Sequence, residues 1–308
     1  MTRAVVFAYH DVGVRCLRVL LGQGVTVPLV LTHEDAPGEQ IWFESVARHA
    51  RWHGLEVITP GDPNTPEIIA RVRAARPDFL FSFYYRMMLG AGLLAVAPRG
   101  AYNMHGSLLP RYRGRAPVNW AVLHGERQTG ATLHAMTVKA DAGDIVDAQA
   151  VPILPDDTAA EVMHKVCVAA EIAFARALPG LVAGTAVLRR QDLAQGSYYG
   201  RRTQADGAID WRQGVAAVHN LVRAVAPPYP GAFARAAGME LKVYRTLPAS
   251  GPRSEQPELR WVDGEVRAVC ADGALRLLQF ELDGGVRDAA AFKARFGATA
   301  LALGGGRQ

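Results

Sequence analysis

Asn103 and His105 stand two residues apart in NMHGSLLPRYRGRAP (103–117), ahead of a loop that carries three arginines and is fixed by Gly106, Pro110, Gly114 and Pro117. If AYNMH (101–105) is a strand, both polar side chains project from one face, with Tyr102 and Met104 on the other. An amide beside an imidazole at a strand end, next to a rigid loop, is an arrangement on which acid–base sites are built. A carboxylate strengthens that reading. KADAGDIVD (139–147) sets Asp141 and Asp144 around Gly143 in a turn between two strands, so Asp141 can face the same cleft, orient the imidazole and raise its pKa toward neutrality. The bland alternatives are a satisfied polar pair with a solvated basic loop, and an aspartate that merely forms a turn.

Other motifs fail on chemistry. Ser107, His105 and Asp141 do not make a hydrolase triad, because no G-x-S-x-G elbow is present and a serine two residues from its base is poorly placed to reach it. His49 and His53 are spaced i, i+4, but ARW lies between them without the glutamate of H-E-x-x-H, so they read as exposed helix histidines. There is no P-loop. The first turn, YHDVG, holds a single glycine where a dinucleotide fingerprint needs three, so NAD is not expected.

The elements that must position these residues follow from hydrophobic patterning. AVVFAYH (4–10), VTVPLVLTH (25–33), LEVIT (55–59) and DFLFSFYY (78–85) read as strands, with helical spacing over 13–22, 39–53 and 66–76. Strands that are apolar throughout, alternating with helices, indicate an α/β domain with a doubly wound parallel sheet covered on both faces, whose ligands sit at the C-terminal strand ends. A second set of strands, 131–138 and 144–153, precedes a long helix over 157–183, for which PDDTAAEV supplies caps. Residues 184–212 read as a linker and 213–225 as a helix. AFARA, LKVYRTL, EVRAVC and LRLLQFEL then suggest a small β-barrel or sandwich, with a loop at 249–259 and a frayed GGGRQ end. The domains are therefore placed at 1–206 and 207–308.

Composition sets the outer limits. The 308 residues are 50% hydrophobic, enough for a large core. Cys16, Cys167 and Cys270 lie far apart without a C-x-x-C pair, which fits a reducing, cytoplasmic compartment. The N-terminal apolar run is far too short for a signal or a membrane span. The net charge of +5 is spread along the chain and is only weak evidence for RNA, since anionic small molecules would be served equally well; nucleic acid is not an expected partner.

N-x-H followed by GSLLPRYRGRAP, with the D-A-G-D turn further on, resembles the folate-dependent formyltransferases. That group includes methionyl-tRNA and sugar-nucleotide formyltransferases. The segments FAYHDVG, THEDAPGE, FSFYYR, ADAGDIV, LPDDTA, YGRRT and VRAVAPPYPGAF look like those of the branch that formylates UDP-4-amino-4-deoxy-L-arabinose in lipid A modification and polymyxin resistance. The resemblance covers most of 4–235 and fades in the final strands. It implies a Rossmann-like N-terminal domain with a small OB-like C-terminal barrel, and 10-formyltetrahydrofolate as co-substrate with no metal. Asn103, His105 and Asp141 would be catalytic, Asn103 as a donor to the oxyanion and His105 as oxyanion donor or proton relay. Met87, Met88, Leu89, Arg115, Thr137, Val138, Lys139, Ala140 and Asp141 would border the folate.

Arg201, Arg202 and Tyr229 are expected on the acceptor side, where Tyr229 replaces the tryptophan of the relatives' P-W-P-G-A-F. A sugar nucleotide is favoured over tRNA as acceptor. The loop HEDAPGE is acidic where the tRNA enzymes carry a basic insertion, and AYHD and GRAP depart from their usual A-G-T-P and GAAP. The remaining alternative is a non-catalytic folate- or nucleotide-binding regulator on the same fold, against which stand the three retained polar residues.

Overall fold

The computed structural model describes residues 1–35, 38, 40–252 and 254–304. Ala36, Pro37 and Glu39 of the acidic HEDAPGE loop, Arg253 of the expected 249–259 loop and residues 305–308 of the expected frayed end lie outside the described residues. In chain order the elements are β1 (Arg3–Ala8), α1 (His10–Gly22), β2 (Thr26–Leu31), α2 (Val46–Trp52), β3 (Val57–Ile58), α3 (Pro66–Ala74), β4 (Phe79–Phe83), α4 (Ala91–Leu94), β5 (Ala101–His105) and β6 (Arg113–Gly114). There follow α5 (Pro117–Leu123), β7 (Gln128–Ala135), β8 (Ile145–Pro152), α6 (Ala159–Ala183), β9 (Tyr198–Tyr199), α7 (Val215–Val225), β10 (Ala232–Ala236) and β11 (Met239–Ala249). The chain closes with β12 (Glu258–Val262), β13 (Glu265–Val269), β14 (Ala274–Leu282), α8 (Ala289–Phe296) and β15 (Leu301–Gly304). Two compact units result: Met1–Pro117 with Gln128–Val151 and His164–Gly200, and Val118–Arg127 with Pro152–Met163 and Arg201–Gln308.

The first unit is built on a seven-stranded sheet ordered β3-β2-β1-β4-β5-β7-β8. β1, β2, β3, β4 and β5 run parallel, and β4 is buried along its whole length, as a strand covered on both faces must be. The strand order reverses at β1, which is where a doubly wound sheet opens its crevice. One expectation is revised here: the strands at 131–138 and 144–153 extend this same sheet as β7 and β8, and β7 pairs antiparallel with β5. α6 is the one helix among the described residues long and apolar enough to cross a membrane, yet half of its most apolar window is buried. Its Phe174 ring meets Phe81 and Phe83 of β4 at 5.0 and 4.9 Å between centroids.

Caps decide the helix ends. Thr65 Oγ accepts from Ile68 N with Pro66 in the first turn, so α3 starts where its sequence says. α2 begins only at Val46, well inside the expected 39–53, because Ser45 Oγ accepts from Arg48 N and fixes the start there. His49, expected at the surface, is buried with both ring nitrogens unpaired. The stretch 184–212 is no free linker: Arg189 bridges to Ile145, and β9 pairs in parallel with β6.

The second unit holds a closed antiparallel barrel, β10-β11-β14-β13-β12-β15. Trp211, Leu241, Phe280 and Phe292 fill its core. Closure removes the exposed strand edges that a sandwich would leave.

Candidate active site

β5 carries the two polar residues as alternation predicts. Register sets Asn103 between Ser82 of β4 and His134 of β7. Asn103 is half-buried and His105 is 7% exposed. Beyond β5 the chain turns through the arginine loop, where Ser107 is fully buried and its hydroxyl donates to the Arg111 carbonyl at 2.7 Å, which leaves it no nucleophilic role.

Asp141 arrives from the turn after β7. Its Oδ1 lies 3.6 Å from His105 Nδ1 and 3.5 Å from His134 Nε2, and its Oδ2 accepts from the Gly114 N–H at 2.9 Å. The residue takes φ 50°, a left-handed conformation that a non-glycine residue adopts only where its surroundings hold it. Part of that hold comes from Gln191, whose Nε2 donates to the carbonyls of Asp141 and Gly143. Gly114 is required as glycine: its φ is 96°, and a Cβ would run into the Tyr199 carbonyl.

The hydrogen bonds fix the protons. A carbonyl oxygen only accepts, so the 2.8 Å contact from His105 Nε2 to Tyr112 O places the hydrogen on Nε2. Nδ1, the nitrogen facing Asp141, is then the basic one. By the same logic His134 Nδ1 donates to Ala135 O at 2.8 Å, so its Nε2 accepts from Asn103 Nδ2 at 3.1 Å and fixes which way the Asn103 amide points.

Electrostatics differ from the simple expectation. Burial pushes the His105 pKa down, and the opposing pull of the Asp141 charge and the Tyr112 carbonyl does not restore it, so it lies below the ordinary histidine value. Burial would also raise the Asp141 carboxyl, but the positive charge that His105 carries when protonated and the hydrogen bond from the Gly114 N–H hold it well below the usual carboxylate range. The result is an ionised carboxylate beside a neutral imidazole.

Asn103, His105 and Asp141 are thus brought together. The other expected residues are arranged more loosely. Leu89 is buried after β4, with Met87 partly buried and Met88 52% exposed. Thr137, Val138 and Lys139 are exposed between β7 and β8, followed by half-buried Ala140. Arg115 is exposed, and its guanidinium reaches Arg86 O only at 3.5 Å. Arg201, Arg202 and Tyr229 belong to the second unit, where Arg202 lies over the Trp120 ring at 4.8 Å and Tyr229 packs against the barrel core. Sequence reasoning missed His134 and Gln191, and it placed Gly114 in the fixed loop without its hydrogen bond to Asp141. His134 was within reach, since its strand leads into the D-A-G-D turn, but only the β5–β7 register sets it opposite Asn103.

Residues 22–178 match the family model described as formyl transferase, and 201–295 match the formyl transferase C-terminal domain. Among solved structures, the fold is similar to an N-formyltransferase from Helicobacter canadensis in complex with folinic acid and dTDP-3-aminofucose. That pair has TM-score 0.70 and 19% identity, covering 91% of this chain and all of that one. WlaRD, a sugar 3N-formyl transferase solved in the presence of dTDP and 5-N-formyl-THF, gives 0.69 at 17% identity over 90% and 97% of the two chains. A sugar N-formyltransferase from a Shewanella species gives 0.62 at 18% identity over 79% and 96%.

Proposed function

The chain belongs to the formyl transferase family, and from that premise we propose that it transfers a formyl group from 10-formyltetrahydrofolate to the 4-amino group of a nucleotide-linked amino sugar, UDP-4-amino-4-deoxy-L-arabinose. The observation that carries the reading is the convergence of Asn103, His105 and Asp141 at the ends of β5 and β7. The family assigns the reaction type, and sequence segments from FAYHDVG to VRAVAPPYPGAF support the acceptor. Catalysis is assigned to residues 1–206 and the barrel to 207–308. Folate is assigned to the surroundings of Met87 to Leu89, Arg115 and Thr137 to Asp141. The acceptor is assigned to Arg201, Arg202 and Tyr229, in a cytoplasmic enzyme whose partners are small molecules.

The neutral amine attacks the formyl carbon, and a tetrahedral adduct forms whose oxygen becomes negative. The Asn103 amide, held by His134, presents its second N–H to that oxygen. His105 Nδ1 accepts the proton lost by the amine, and the resulting imidazolium is stabilised by Asp141. Collapse breaks the bond from carbon to the folate nitrogen, which receives the proton from His105; the N-formylated sugar nucleotide and tetrahydrofolate leave. Incubation with 10-formyltetrahydrofolate and a panel of amino-sugar nucleotides plus methionyl-tRNA, read by mass, tests the assignment. A formyl gain on the UDP-linked 4-amino sugar is expected. A gain on methionyl-tRNA alone overturns the acceptor, and no gain on any acceptor with folate bound would favour the regulator.

A further inference from the structure

Besides Asn103, His105 and Asp141, the first unit brings three unlike ligand-type side chains together. His10 and Asp11 open α1 directly after β1, and Cys167 lies on α6. An imidazole nitrogen, a carboxylate oxygen and the thiol sulfur all lie within 4.8 Å of one another, the one such group of His, Cys, Asp or Glu among the described residues.

Three further observations set this group apart from ordinary polar contact. His10 Nδ1 is buried with no hydrogen-bond partner, a state that proteins rarely leave uncompensated. His10 also takes φ 66°, and its ring is held against Trp42 and Phe43 at centroid distances of 4.8 and 4.3 Å. Lastly, Asp11 and Cys167 border a cavity of about 250 Å³ that Glu44 and His164 also line. Arg15 borders it too, but its guanidinium is engaged by Glu171 at 2.5 Å.

We propose that His10, Asp11 and Cys167 bind one divalent transition-metal ion of the zinc class, with a fourth position open to the cavity beside His164 and Glu44. A thiolate with an imidazole and one carboxylate suits zinc or cobalt and does not suit magnesium or calcium, which take oxygen ligands. Bonds of roughly 2.0–2.3 Å to a tetrahedral ion set ligand atoms roughly 3.3–3.8 Å apart, so from separations of at most 4.8 Å the group need contract by no more than about 1.5 Å. Burial pushes the His10 pKa down to about 4, which leaves the ring neutral with a lone pair for a metal. The Asp11 carboxylate is oriented by accepting from Glu44 N at 2.7 Å.

Cys167 is protonated in the absence of a metal, since burial pushes its thiol up to about 12. Binding forms the metal–sulfur bond and releases that proton to solvent, one proton per ion. Thiolate and carboxylate then neutralise the dication, and the ion ties the turn after β1 to α6. The site takes no part in the formyl-transfer steps above, so either reading stands without the other.

Full-length protein stripped with a chelator and titrated with Co2+ alone decides the matter. One equivalent is expected to produce a thiolate-to-cobalt charge-transfer band with intense tetrahedral d–d absorption, to release one proton, and to be displaced by Zn2+. Cys167→Ala and Asp11→Asn should each lose the band, while Cys16→Ala and Cys270→Ala keep it. Absence of the band in the unaltered protein overturns the proposal whatever the variants do, as does its persistence in Cys167→Ala.

Discussion

His105 Nδ1 faces Asp141 Oδ1 at 3.6 Å, while the opposite ring nitrogen donates to the Tyr112 carbonyl at 2.8 Å. The basic nitrogen and the carboxylate that would stabilise its protonated form are therefore already in register, and the ring is anchored from behind.

The first consequence is a pH profile. Because burial holds the His105 pKa below the ordinary 6.5, activity that needs the neutral ring declines only as pH falls through that lowered value. The acidic limb of kcat/KM is expected below pH 6.5. Asp141→Asn removes the charge that raises the His105 pKa, so whatever activity survives should lose its acidic limb at still lower pH. A limb that moves upward in this variant contradicts the pairing.

The same groups set a stability profile. Asp141 titrates lower in the folded than in the unfolded chain, so its contribution is present above the unfolded pKa of about 3.9 and is lost as pH falls through the folded pKa. His105 is also lowered on folding; the unfolded chain binds the extra proton below about pH 6.5, and stability falls as pH drops into that window. Urea midpoints measured across pH should rise through both windows, and Asp141→Asn should flatten the more acidic one.

Asn103→Ala removes the proposed donor to the oxyanion. We expect kcat to fall by on the order of 100 to 1,000-fold with KM nearly unchanged. Steady-state kinetics with both substrates varied would expose a KM effect instead, which would make Asn103 a binding residue.

His134→Ala leaves the Asn103 amide without the partner that orients it. Asn103 is half-buried, so losing this hydrogen bond is expected to cost about 1 kcal/mol, which thermal unfolding should register. The kinetic loss should appear in kcat, and His134→Gln, which retains an acceptor, should recover part of it.

Gly114→Ala puts a Cβ where φ is 96° and the Tyr199 carbonyl stands in the way. The loop must shift, and the N–H that Asp141 accepts from shifts with it. A stability loss of more than about 1 kcal/mol together with a reduced kcat is expected. Unchanged kinetics would show that the Asp141 anchor is dispensable.

Much of this was legible in the sequence because period and residue type agreed. AYNMH alternates, so its two polar residues had to share a face, and the apolar runs at 4–10 and 78–85 had to be covered on both sides. The signal weakened where tertiary pairing decides. β7 and β8 read as a separate set because their partner, β5, is set by register and not by local pattern. His134 was passed over for the same reason. β6 and β9 are two residues each, too short for any periodicity, so 184–212 looked like a linker. In the barrel, β12 begins at Glu258, inside a stretch whose Gly, Pro and Ser content reads as loop, and β15 follows a glycine-containing turn near the chain end.

The most direct test of the central claim is single-turnover formyl transfer to the amino-sugar nucleotide by His105→Ala and Asp141→Ala, alongside circular dichroism of each variant. The account predicts that both retain the native spectrum while the formylated product disappears. Full turnover in either folded variant would contradict it.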